Sequence, residues 1–158
     1  MHKEIALLNR EILNPFQEED IDFVAQKLEK IKGVEPIAAV QMQQGIIKNA
    51  KIGDTLLLPP IDGISYEMKV QSKQILQSGT VNIEGDFIEN GMVYSAVLTE
   101  GKKATFISMV TPNGTYEVNI LNGIGYIYAN TDIEKVKIDY SQTDEIESPI
   151  NKTLEDQF

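Results

Sequence analysis

The sequence predicts an α+β, β-dominated fold: N-terminal helices, then an antiparallel meander forming a curled sheet, barrel or sandwich, with an extended C-terminal tail. Three observations predict it. Apolar residues near the start recur at helical spacing. From Ile37 they alternate or fall in short β-branched runs between turn signals. After Tyr140 the chain turns polar and acidic and is broken by Pro149. The expected organisation is an N-terminal helical segment over 1–36, an antiparallel β-domain over 37–140 and an extended tail over 141–158.

Ile5, Leu8, Ile12 and Leu13 give one apolar stripe, and Asn14-Pro15 ends it, because a residue before proline avoids the α region. Gln17-Glu18-Glu19-Asp20 then places acids where a helix dipole favours them. Ile21, Val24, Leu28 and Ile31 mark one face of the helix that follows. Gly33 and Pro36 punctuate its end.

Strands are expected near Ala38–Gln43, Thr55–Leu58, Ser65–Leu76, Gly79–Phe87, Val93–Thr99, Ala104–Thr111, Thr115–Leu121, Gly125–Tyr128 and Ile133–Asp139. Asp62-Gly63, Asn90-Gly91, Asn113-Gly114 and Asn122-Gly123 supply residues that accept positive φ in tight turns. Strands joined by such short turns are antiparallel neighbours. A sheet of many short strands curls or splits.

The chain has 158 residues, enough for one domain with a real core. Its formal net charge is -10, which repels phosphate backbones and anionic membrane surfaces. Nucleic acid is therefore not an expected partner. With no cysteine, disulfides, Cys-based zinc sites and thiol catalysis are excluded. No run approaches the roughly 20 apolar residues that span a bilayer.

The one histidine, His2, stands at the extreme end, where a catalytic triad is rarely held. Glu84 and Asp86 flank Gly85 and can share a strand face, but paired carboxylates also need a cleft. Neither a calcium loop, a G-x-G-x-x-G nor a P-loop occurs. Asn113 and Asn151 match the N-glycosylation pattern, yet Asn113 is already explained as a turn residue. Tyr94, Tyr116, Tyr126 and Tyr128 read as core or cross-strand packing. By elimination the expectation is a non-enzymatic binding or structural module without a cofactor or metal. Sheet edges and the tail are the features that can bind.

The stretch from Gly53 to Ile120 resembles the N-terminal β-domains of secreted bacterial zinc metalloproteases. The resemblance rests on the turn Leu58-Pro59-Pro60-Ile61-Asp62-Gly63 and on a following strand with a mid-length glycine, Gly79. It continues through Ser95-Ala96-Val97-Leu98, Phe106-Ile107-Ser108 and Gly114-Thr115-Tyr116. Ser108 stands where that pattern has glycine, and Pro60 and Ile61 lengthen the turn. No H-E-x-x-H occurs, so the chain is not the protease. It is similar instead to CpaB-type dedicated chaperones of a type II-secreted metallo-endopeptidase.

The resemblance implies a periplasmic protein with an inner-membrane anchor absent from this sequence. It implies a secreted zinc metallo-endopeptidase as partner, helped to fold and, in the inhibitory form of the reading, held inactive. Ile146, Pro149, Ile150, Leu154 and Phe158 are then the expected partner-binding residues, forming a strap that orders on its client. The alternatives are a structural or self-assembling β-protein whose tail contacts an identical subunit, and a carboxylate enzyme using Glu84 or Asp86.

Overall fold

The computed structural model describes residues 12–141. In chain order the elements are β1 (Ile12–Leu13), β2 (Phe16–Glu19), α1 (Ile21–Ala25), β3 (Ala38–Met42), α2 (Ile46–Asn49) and β4 (Thr55–Leu57). There follow β5 (Glu67–Ile75), β6 (Val81–Glu89), β7 (Met92–Glu100), β8 (Ala104–Thr111), β9 (Gly114–Leu121), β10 (Ile124–Ala129) and α3 (Asn130–Ser141). The ten strands among the described residues form one sheet, in the order β1-β4-β5-β6-β7-β8-β9-β10-β3-β2.

The fold is β-dominated, and the sheet curls. β1 and β2 stand at opposite ends of the strand order, yet only Asn14 and Pro15 separate them. Three residue steps reach about 11 Å at most. The two edges of the sheet are therefore brought close together by a single N-terminal strand kinked at Asn14-Pro15. Its first half pairs in parallel with β4, and its second half pairs antiparallel with β3.

Tight turns drive the meander. Asn90-Gly91 and Asn122-Gly123 both lie at positive φ, the geometry of a two-residue hairpin loop. The β8–β9 hairpin forms as expected, but Pro112 and Asn113 make its turn and Gly114 already pairs with Thr111. Gly79 sits in the β5–β6 turn at φ 88. The mid-strand glycine is Gly85. A Cβ there would strike the Lys69 carbonyl and the Met68 side chain, beside a bulge in β5 between Val70 and Ser72.

Inward-facing residues alternate along the strands and fill the interior. Val81, Ile83 and Phe87 of β6 meet Ala96 and Leu98 of β7, Ile107 and Met109 of β8, and Val118 and Ile120 of β9. A second cluster lies outside the sheet. Val24, Ile31 and Val34 pack over Ala39, Tyr126 and Tyr128, with Ile133 and Val136 of α3 beside them.

Two expectations are corrected. The N-terminal segment is, in its described part, two strands and one short helix. The stripe Ile21, Val24, Leu28, Ile31 does face a core, but the helix stops after one turn. Tyrosines replace its continuation: the Tyr126 hydroxyl donates to the Leu28 carbonyl at 2.5 Å, and the Ile31 N–H donates to the Tyr128 hydroxyl at 3.0 Å. Those are backbone groups a longer helix would pair internally. The strand expected over Ile133–Asp139 is instead part of α3. β10 is flanked by β9 and β3, so no edge is left for a further strand. Ile133 and Val136, three apart, bury one helical face instead.

Candidate functional site

One apolar cluster of the described residues lies on the inner face of the sheet, with α2 at one end. Ile47 and Ala50 enter the apolar cluster from there. The short helix is held at both termini by strand side chains. Buried Glu100 of β7 accepts from the Gly45 and Lys48 N–H groups at 2.9 and 3.0 Å. Lys73 of β5 donates to the Lys48 and Ala50 carbonyls at 2.7 and 2.8 Å. An ion-bearing residue thus satisfies each set of orphan helix groups. At the opposite end Tyr66, Phe87 and Tyr94 stack, with centroids 4.9 and 5.7 Å apart.

Among the described residues, two outer surfaces and one buried polar cluster stand out. The first is the outer face at the β6–β7 hairpin, at the end opposite α2. Ile88 and Val93 are cross-strand partners, 69% and 65% exposed, with Met92 at the hairpin tip and Val110 on neighbouring β8. Ile88, Val93 and Val110, in one neighbourhood of a wall otherwise bearing Glu84, Asp86 and Ser95, form a patch that water disfavours, while Met92 has the inward parity of Tyr94, whose hydroxyl lies 3.9 Å from its sulfur. Sequence reasoning missed the patch. The signal was present in the two apolar residues of outward parity, Ile88 and Val93, either side of Asn90-Gly91.

The second surface is an open cleft of about 800 Å³ at the same end. Glu18, Glu19 and Asp20 lie on one side of it and Pro60, Asp62 and Gly63 also line it. Lys30 is engaged with Glu35 at 3.3 Å.

The third feature is buried polarity under α3. Glu117 and Asn119 point outward from β9, beside Tyr128 and Tyr126 of β10 and Ser108 and Phe106 of β8. Burial pushes the Glu117 carboxyl up to about 7, against the pull of Lys137 and the hydrogen bond from Ser108, with Glu134 adding a smaller push upward. Glu117 Oε2 and Asn119 Oδ1 have no hydrogen-bond partner among the described residues. Burial also raises Tyr126, and pushes Tyr128 up to about 12.

The residues expected from sequence to bind a partner, Ile146, Pro149, Ile150, Leu154 and Phe158, lie outside the described residues, as do His2 and Asn151. Glu84 and Asp86 share the outer face of β6, where Asp86 opposes Lys69 and Ser95. Among the described residues no group of three or more His, Cys, Asp or Glu could hold a metal ion. No described helix is long and apolar enough to cross a membrane.

Residues 14–134 match the family model described as the BamI lipocalin-like domain. No curated protein matches the chain. Among solved structures four chains match. One belongs to a structure titled "Structure of a chaperone-substrate complex". It is 19% identical, with a TM-score of 0.57 over 75% of this chain and 91% of that one, a likeness of fold.

Proposed function

The chain belongs to the BamI lipocalin-like domain family, and from that premise we propose that it is a non-enzymatic, protein-binding domain of chaperone type. The observation that carries this reading is the exposed apolar patch of Ile88, Val93 and Val110 on the outer wall of the sheet. A wall that leaves such a patch in water gains free energy, at about 25 cal/mol per Å² of apolar area, when a partner covers it. The fold likeness to a chain from a chaperone–substrate complex supports the same direction.

The finer form of the proposal takes a secreted zinc metallo-endopeptidase as client, in the periplasm, with an inner-membrane anchor supplied outside this sequence. In that form the β-domain is the platform, and Ile146, Pro149, Ile150, Leu154 and Phe158 act as the strap. A second reading draws on the same patch: an exposed sheet face can meet its own copy around a two-fold axis.

The test is a pull-down from the native host with the full chain, a version ending at Tyr140, and a double variant Ile88→Ser/Val93→Ser. Retention of a zinc metalloprotease by the full chain, and its loss from both altered baits, is the expected result. Equal retention by all three overturns patch and strap together. Self-association abolished by the double variant, with no client retained, replaces the chaperone reading by the self-assembling one.

A further inference from the structure

We propose that the seam between β2 and the loop after β4 accepts an extended, basic segment of a partner protein as an added strand. This rests on the protein-binding reading and names the mode and chemistry of one contact within it.

β2 is the last strand of the order, and β3 is its one neighbour among the described residues. The Gln43 N–H donates to the Pro15 carbonyl at 2.8 Å, and the register pairs Phe16 with Met42 and Glu18 with Val40. In an antiparallel ladder, hydrogen-bonded and non-bonded positions alternate. Pro15, Gln17 and Glu19 therefore turn their backbone groups toward β3. Phe16 and Glu18 turn theirs away from it, toward the seam. Such an edge templates another strand.

The seam stays open for a reason written in the sequence. β4 pairs with β1 over two residues, then ends, and Leu58-Pro59-Pro60 follows. Prolines have no N–H to donate, so this stretch is a poor strand partner for β2. What remains is the cleft of about 800 Å³, with Glu18 on one side and Pro60 also in its lining.

Charge selects the occupant. Glu18, Glu19, Asp20, Asp22, Glu35 and Asp62 line the cleft, and among the described residues its one cation, Lys30, is already paired with Glu35. The protein's own tail is a poor fit. Asp144, Glu145, Glu147, Glu155 and Asp156 outnumber Lys152 there, so the cleft repels it. An extended segment bearing lysine or arginine on alternate residues meets both demands. Its backbone pairs with Phe16 and Glu18, and its cations face the carboxylates.

The probe is a synthetic peptide of alternating valine and lysine, titrated against the full chain, with backbone amides followed by NMR and hydrogen exchange. Slowed exchange at the Phe16 and Glu18 amides is expected. N-methylating every second peptide amide, and separately reversing Glu18, Glu19 and Asp62 to lysine, should each weaken binding by about tenfold or more. Equal binding of the N-methylated peptide overturns strand addition. Equal binding of an alternating valine–glutamate peptide overturns the charge argument. Tighter peptide binding after removal of residues 1–11 would assign the edge to the chain's own N-terminus and overturn the proposal. None of these failures alters the pull-down outcomes for Ile88 and Val93, so the two readings fail separately.

Discussion

Inside the barrel, Leu98, Ile107 and Met109 are fully buried among other apolar side chains. On the outer wall under α3, Tyr126, Tyr128 and Asn119 are also buried, but with polar atoms attached. The interior is stabilised by removing apolar area from water, a non-directional effect that hardly depends on pH. The outer wall depends on hydrogen bonds that must be made one by one, and on a carboxyl whose charge state changes near neutrality. One sheet thus carries a robust face and a conditional one. The conditional face seats the short N-terminal helix and α3.

Replacing one side chain on each face sharpens the contrast. Leu98→Ala removes a fully buried side chain from the interior. It should cost about 3 kcal/mol by urea unfolding, equally at pH 5 and pH 8. A cost under about 1 kcal/mol would mean that the interior collapses around the gap and is less rigid than the wall. On the outer side, Tyr128→Phe leaves the buried Ile31 N–H without its acceptor. The expected loss is about 1–2 kcal/mol. Hydrogen exchange should quicken at Ile31 and across 26–34, while Leu98 and Ile107 keep their protection. Uniform quickening would show that the two faces unfold as one unit.

The difference between the faces also explains what was legible. β6, VNIEGDFIE, alternates cleanly because one face is core and the other meets water, and its position was readable to within two residues. β10, IGYIYA, is buried on both faces, so its pattern could place a strand but not disclose a second core behind it. The stripe from Ile21 to Ile31 disclosed that core's other half, yet it read as a helix. Nothing local shows that hydroxyls about 100 residues away take over its backbone groups. β1 and β2 were hidden for the same reason: they are strands because β4 and β3 lie beside them. Of the candidate surfaces, the seam's ingredients were all visible as the acids of 18–22 and Pro59-Pro60. Their meeting across a cleft is a product of closure.

The smallest expected effect tests the conditional face most directly. Glu117 lies on β9 opposite Tyr128 of β10 and Ser108 of β8, with Lys137 and Glu134 acting on it from α3. Burial raises its carboxyl from 4.5 to about 7, so the folded protein favours the neutral acid. In the unfolded chain the group ionises at its ordinary, lower value. The unfolded state therefore releases this proton first as pH rises. Stability contributed by the neutral acid is full below about 4.5, falls as pH climbs toward about 7, and is gone above that. Because Glu117 is only partly buried, solvent screening reduces the effect to the order of 1 kcal/mol. Glu117→Gln keeps the shape and removes the titration. The variant should match the parent at pH 4 and exceed it by that amount at pH 8, measured by urea unfolding at both. The same difference at the two pH values would mean that Glu117 is solvated in the folded state, and that α3 does not seal the wall beneath it.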